Sequence, residues 1–316
     1  MRLFNNLNEI NQFFKNAVVT IGNFDGVHKG HQAIFHQVIE KAESLNGTSV
    51  AITFEPHPVK VLNKENPPPL ITLYEQKVEL IAKTGLDVLI CIPFDMEFAA
   101  LSADRFLEDI LVKKIGARAI VIGKDYAFGK NREGNIAYLR QNSERLGYEV
   151  IVTNWIPMTH NGEGRISSTR VREIVMAGNV EDAPALLGRH YQIRGKIRAG
   201  RNRGGRLLGF PTANINVVDE LCPKSGVYAV MVELGGELTG SHFKGVANIG
   251  YSPTFDDHLF TIEVHILDFK KDIYGEKIRV NFIQRIRDEK KFSSIDELSA
   301  QIKQDILAGR EILSTF

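Results

Sequence analysis

The sequence predicts two domains: an amino-terminal α/β domain on a parallel sheet, then a small antiparallel β-barrel finished by a helix. Three observations point there. The chain has 316 residues, 43% of them hydrophobic, enough for two cores at about 100–200 residues per domain. As far as Thr153, β-branched runs alternate with longer amphipathic segments, the rhythm of βαβ units. Beyond Tyr191, short alternating strands follow one another across glycine-rich turns, as in a small barrel.

The first half opens with AVVTIG, a helix from His31 to Ser44, the strand SVAITF, a helix from Tyr74 to Lys83 and the strand DVLICIPF. A helix from Ala103 to Ile115, the strand ARAIVIG, a helix from Ile136 to Leu146 and the strand YEVIVT complete it. Apolar runs of this kind suit parallel strands buried on both faces. Pro67, Pro68 and Pro69 in succession make NKENPPPLIT an extended surface loop. SSTRVREIVMAGN reads as a capped helix stopped at Gly178-Asn179, and EDAPALLGRHY as a short helical connector. These features set the domains at residues 1–185 and 186–316. The barrel strands are YQIRGKIR, GVYAVMVEL, FKGVANIG, LFTIEVHIL and EKIRVNFIQRI; a last helix follows, capped by Ser293 or Ser294.

Charge and cysteine content narrow the function classes. With 39 Lys and Arg against 38 Asp and Glu, no global field draws the chain to nucleic acid or to an anionic membrane. Any anion site is therefore local. Cys91 and Cys222 stand far apart with no CxxC partner, which argues against a disulfide framework or thiolate zinc and for a reducing compartment. No apolar run approaches the ~18 residues of a membrane span, so a cytoplasmic protein is expected.

VVTIGNFDGVHKGH, from Val18 to His31, places a glycine-punctuated turn between a strand and a helix, where an α/β sheet offers backbone N–H groups to a phosphate. Gly22, Gly26 and Gly30 let the backbone approach closely. His28 and His31, at (i, i+3) on the first helical turn, share a face and can both donate to one polyphosphate. The alternatives are a structural histidine pair or a metal pair, the latter lacking a carboxylate or cysteine at matching spacing. RISSTRVR offers a second anion site: Ser167, Ser168 and Thr169 can cap a helix whose first turn carries Arg170 and Arg172. Two phosphate-seeking helix starts suggest a triphosphate.

The second half has no GxxxxGK[ST] loop. In GGRLLGFPTANI, Pro211 fixes the backbone before Thr212. In an extended run Thr212 and Asn214 point the same way, presenting hard oxygen ligands of the kind Mg²⁺ takes; the alternative is a turn satisfying its own backbone. A kinase acting on an alcohol also needs a base, and Glu263 is the candidate. In LFTIEVHIL, Ile262, Val264 and Ile266 take one face and Thr261, Glu263 and His265 the other, which could equally be the solvent side.

GNFDGVHKGH with ISSTRVR resembles the Rossmann-like HxGH nucleotidyltransferase superfamily, and in particular the adenylyltransferase half of bacterial bifunctional riboflavin kinase/FAD synthetases. TFEPHP (Thr53 to Pro58) and GKDYAFG (Gly123 to Gly129) are similar to further motifs of that half. GFPTANI, GVYAV, GVANIGYSPTF, EVHILDF and YGEKIRVNFIQRIRDEKKF resemble the kinase half, in the family's order. The resemblance implies a six-stranded barrel and two ATP- and Mg²⁺-dependent steps, riboflavin to FMN and FMN to FAD. It implies that His28 and His31 hold ATP phosphates and that Ser167, Thr169 and Arg170 stabilise the triphosphate, with Gly22, Phe24 and Gly30 also at ATP. Phe54, His57 and Asp125 would lie near the flavin. In the barrel it implies ATP at Gly209, Pro211, Thr212 and Asn214, Mg²⁺ on Thr212 and Asn214, and Glu263 as the base for the ribityl 5′-hydroxyl. Flavins are then substrate and product, and a monomer or weak homo-oligomer is expected. Two departures stand out: AGRNRGGRLLG is arginine-rich and longer than expected, and Ser252 replaces an arginine of many relatives. The runners-up are an adenylyltransferase for another phosphorylated acceptor, and a flavin-binding protein with degenerate sites.

Overall fold

The structure is a computed structural model that describes residues 1–65, 67–158, 164–198, 210–217, 219–235, 240–251 and 260–316. Gly209, Ser252 and the arginine-rich turn lie outside these residues. The chain forms two compact units, Met1–Ser168 and Thr169–Phe316.

In the first unit, β1 (Arg2–Phe4), β2 (Ala17–Ile21), β3 (Ser49–Glu55), β4 (Val88–Pro93), β5 (Ala117–Gly123) and β8 (Glu149–Thr153) form one sheet in the order β1-β4-β3-β2-β5-β8. All its pairs are parallel. A small hairpin, β6 (Ala127–Phe128) with β7 (Gly134–Asn135), follows β5. The helices are α1 (Lys29–Ser44), α2 (Pro58–Leu62), α3 (Tyr74–Ala82), α4 (Met96–Ala99), α5 (Ala103–Arg105) and α6 (Ile136–Leu146). β2 is buried along its whole length, as an apolar strand covered on both faces must be.

The chain steps outward from β2 through β3 to β4, then returns to lay β5 on the other side of β2. The carboxyl ends of β2 and β5 therefore flank the topological switch point, where open α/β sheets bind ligands. Both the HxGH turn and GKDYAFG emerge there.

Two expectations need correction. The continuous α-helix expected over Ala103–Ile115 is one α turn followed by a π-helix, Phe106–Ile115, stopped at Gly116 in the left-handed region. Phe106, Leu107, Ile110, Leu111 and Ile115 are still all buried; apolar spacing does not distinguish i→i+5 from i→i+4 hydrogen bonding. The first helix begins at Lys29 rather than His31, with His28 outside it as N-cap.

In the second unit, α7 (Ser168–Ala177) and α8 (Ala183–Leu187) lead into β9 (Tyr191–Arg198), β10 (Ala213–Asn216), β11 (Gly226–Leu234), β12 (His242–Tyr251), β13 (Phe260–Ile266) and β14 (Lys277–Arg287). These strands close into an antiparallel barrel in the order β10-β13-β12-β11-β14-β9. Ile262, Val264 and Ile266 are buried as the alternation requires. The terminal helix, α9 (Ile295–Ile312), starts at Ser294, whose side chain accepts from Glu297 N–H. Its Ile306 packs with Val227, Val246 and Leu267 on the barrel's outer face. Gly309 permits the approach, since a Cβ there would lie 2.7 Å from a Val246 methyl.

Candidate functional sites

At the end of β2 the chain turns sharply through Gly22–Val27 into α1. Gly22 has no room for a side chain, because a Cβ would stand 2.8 Å from the Phe24 ring. Phe24 is 2% exposed, so its ring supports the site from beneath, edge-on to His31 at 5.3 Å and to Phe35 at 4.7 Å. A nucleotide can meet Phe24 only through its backbone.

The rings of His28 and His31 stack at 3.6 Å and 17°. They share a face as expected, but not as two residues of one helical turn: His28 Nδ1 accepts from His31 N–H at 3.3 Å. His28 can therefore donate only through Nε2, and it also satisfies one orphan N–H of the helix start. Burial, with the neighbouring His28 second, holds the His31 imidazole well below its usual pKa of 6.5. His31 Nδ1 is buried with no hydrogen-bond partner. A Cβ on Gly30 would press within 3.0 Å of the His28 ring, so glycine at the centre of HKGH keeps the stack in place.

Around this turn, Phe54 closes β3 in an aromatic cluster with Phe94 at 5.6 Å and Phe98 at 5.8 Å. His57 is 7% exposed and caps α2, its Nδ1 accepting from Val59 N–H. Asp125, just beyond β5, pairs with Arg165 at 3.1 Å. Arg165 in turn lies 4.7 Å from the centre of the Trp155 ring. The Ser168 hydroxyl donates to the Asp25 carbonyl at 2.9 Å, which brings the start of the ISST segment to the HxGH turn. Thr169 and Arg170 continue into the second unit, where Arg170 pairs with Glu173 along α7 at 2.9 Å.

In the barrel, a cavity of about 280 Å³ is lined by Thr212, Asn248 and Glu263 on its polar side and by Val227, Val246 and Ile302 on its apolar side. Glu263 lies on the barrel's outer face. That face is not simply open to solvent, since Ile302 and Ile306 of α9 line the same cavity. Burial raises the Glu263 pKa above the ordinary carboxylate value, as expected for a desolvated acid. Asn214 on β10 and Asn248 on β12 stand opposite Glu263 on its two flanking strands. Asn214 Nδ2 reaches back to the Thr212 carbonyl at 3.4 Å. His265 pins the PTAN segment, with Nδ1 at 2.9 Å from the Pro211 carbonyl. The hydroxyl of Thr212 and the amide oxygen of Asn214 beside a carboxylate fit a hard cation carried in with phosphates. Among the described residues there is no cluster of three or more His, Cys, Asp or Glu able to hold a metal alone.

Asn248 was missed in the sequence, as was the Arg287–Asp305 pair that joins β14 to α9 through two bonds of 2.8 and 2.7 Å. The only available signal for Asn248 was its place in a strand of matching alternation.

A parallel sheet with a histidine-lined turn at its switch point, in one chain with a barrel carrying a half-buried carboxylate beside hard oxygen donors, fits a two-unit phosphate-handling transferase. Comparison with known proteins makes this particular. Residues 10–170 match the family model of FAD synthetase and residues 187–313 that of riboflavin kinase. The bifunctional riboflavin kinase/FMN adenylyltransferase of Haemophilus influenzae is 39% identical over 315 residues, covering 100% of each protein. That of Escherichia coli is 38% identical over 311 residues, covering 98% of this chain and 96% of its own. A crystal structure described as a macrolide-efflux protein from Streptococcus pneumoniae is 33% identical, with a TM-score of 0.85 over 98% of each chain. The chain belongs to the bifunctional riboflavin kinase/FMN adenylyltransferase family. Among its described residues, no helix is long and apolar enough to cross a membrane.

Proposed function

We infer that this chain phosphorylates riboflavin to FMN in its barrel and adenylylates FMN to FAD on its parallel sheet, drawing on ATP and Mg²⁺ for both. The observation that carries the reading is that two separate family models match in sequence, one to each half of the chain. We assign residues 1–185 to adenylyl transfer and 186–316 to the kinase. The two unpaired cysteines are in keeping with a reducing cytoplasm, and we take the working form to be a monomer or weak homo-oligomer.

In adenylyl transfer, an FMN phosphate oxygen attacks the α-phosphorus of ATP and pyrophosphate departs. A phosphate monoester, with its second pKa at about 6, is largely a dianion at neutral pH, so no protein base is required. The site's task is alignment and charge stabilisation. His28 Nε2, His31, the first N–H groups of α1 and the Ser167–Thr169 helix start with Arg170 serve the phosphates, with Gly22, Phe24 and Gly30 contributing backbone. Phe54, His57 and Asp125 face the flavin.

In the kinase, the ribityl 5′-hydroxyl attacks the γ-phosphorus and ADP departs. An alcohol is protonated at neutral pH, so Glu263 takes its proton. The apolar wall of Val227, Val246 and Ile302 offers a dry surface to an aromatic ring. Thr212 and Asn214 would hold Mg²⁺, which supplies charge neutralisation on the phosphates when bound, and Pro211 and Gly209 would contact ATP.

The test is incubation of the purified chain with riboflavin, ATP and Mg²⁺, with products separated by chromatography. FMN followed by FAD is expected; failure to convert either riboflavin or added FMN would overturn the reading.

A further inference from the structure

The turn between β2 and α1 runs against backbone preference. Phe24, Gly26 and Val27 sit at φ of 49°, 85° and 40°, and for a β-branched residue such as Val27 that region is strongly disfavoured. Such conformations persist only where the surroundings over-determine them. Asp25 lies in the middle of the three. It is 4% exposed, and its carboxylate accepts from the N–H of Ile71 at 3.0 and 3.2 Å and of Thr72 at 3.1 Å. Thr72 completes a ring, its hydroxyl accepting from Gly26 N–H at 3.0 Å. Ile71 fills the space beside Gly26, where a Cβ would lie 3.0 Å from its methyl. On the other side, the Asp25 carbonyl accepts from the Ser168 hydroxyl at 2.9 Å. One residue therefore joins the histidine turn, the segment after the triple proline and the start of the ISST helix.

We propose that Asp25 is a positioning residue for adenylyl transfer: its buried carboxylate clamps the Phe24–Val27 turn to Ile71 and Thr72 and so fixes where His28, His31 and the helix N–H groups meet the nucleotide phosphates. The proposal rests on the adenylyltransferase reading of this unit. Asp25 directs its carboxylate at backbone donors, which is how an anion can sit beneath a phosphate site. Asparagine weakens the clamp: its one oxygen can still take both N–H groups, but its amide N–H would face the Ile71 N–H where the second carboxylate oxygen accepts at 3.2 Å. Displacing groups that act in the transition state by about 1 Å lowers the rate by roughly 10²-fold.

The test compares Asp25→Asn and Thr72→Val with the wild type in the full chain, following FAD formation from FMN and riboflavin phosphorylation on the same samples. For Asp25→Asn, kcat for FAD formation is expected to fall by roughly 10- to 100-fold with KM for FMN within about threefold, the signature of lost transition-state alignment. Thr72→Val is expected to show a smaller fall of the same kind. Riboflavin phosphorylation should be unchanged in both. A lowered melting temperature with wild-type kcat per folded molecule would mean a structural role only and overturn the proposal, as would equal loss of both activities. If Asp25→Asn does not fold, Thr72→Val decides, and an unchanged kcat there overturns it. A wild type that forms no FAD removes the reading of the unit and the proposal together; variants that match an active wild type remove the proposal alone.

Discussion

Asn214 stands directly across the β10–β13 ladder from Glu263, so the cation ligand and the base of the kinase reading share one face of the barrel. Paired residues in an antiparallel ladder have Cβ atoms about 4.5–5.5 Å apart, close enough for one phosphate-bound cation to lie beside both. Asn214→Ala should raise the Mg²⁺ concentration for half-maximal riboflavin phosphorylation by about tenfold or more, the scale on which metal sites respond to loss of a ligand or its support. FAD formation from FMN should keep its Mg²⁺ dependence. A Mg²⁺ titration of both activities checks this, and an unchanged kinase titration would exclude Asn214 as a ligand.

Burial of His31 has a consequence for stability. Its folded pKa lies well below 6.5, so the unfolded chain takes up the proton first. His31 therefore has no effect on stability well above that value, and stability falls as the pH drops through 6.5 toward the folded pKa. Melting temperatures measured between about pH 7.5 and 5.5 should decline less steeply for His31→Gln than for the wild type. Equal slopes would mean that His31 does not carry this effect.

Asp305 is 5% exposed and takes two bonds from Arg287 as well as one from Gln301 at 3.0 Å. Removing one partner of a buried pair leaves an uncompensated charge, at about 3–5 kcal/mol when fully buried. Arg287 retains some solvent, so Asp305→Ala should destabilise by about 2–3 kcal/mol. Denaturant unfolding followed by circular dichroism measures it. A change below about 0.5 kcal/mol, typical of an exposed substitution, would show that the pair does not secure α9.

At Gly22 an added methyl would meet the Phe24 ring at 2.8 Å, and that ring supports His31. Overpacking of this kind is destabilising by about 1–3 kcal/mol. Gly22→Ala should therefore impair FAD formation while sparing riboflavin phosphorylation. Kinetics of the two half-reactions on one preparation would show it, and an unimpaired FAD rate would mean that the ring shifts without consequence.

Much of this was legible in the sequence because it depends on short-range rules. Alternation placed Ile262, Val264 and Ile266 inward and Glu263 outward, and glycine and histidine spacing located the turn after β2. What the sequence left open depends on partners distant along the chain. Whether the outer face at Glu263 is solvent or site is decided by α9, more than thirty residues away. Asn248 reaches Glu263 only through the register of β12 on β13, which the spacing within one strand does not specify. β1 is a three-residue edge strand, too short for a period to register. His28 as an N-cap needs backbone angles that His-x-x-His spacing does not specify. Asp25 looks like any turn aspartate until its carboxylate is found on Ile71 and Thr72.

On the proposed reading residues 1–185 and 186–316 each carry one reaction, and reciprocal variants separate the two. Riboflavin and FMN are offered separately to Glu263→Gln and His31→Ala, and FMN and FAD are quantified. Glu263→Gln should lower FMN formation by about 10²–10⁴-fold, the range for loss of a general base, and leave FAD formation from FMN intact. His31→Ala should do the reverse. Loss of both activities in either folded variant would contradict independent sites.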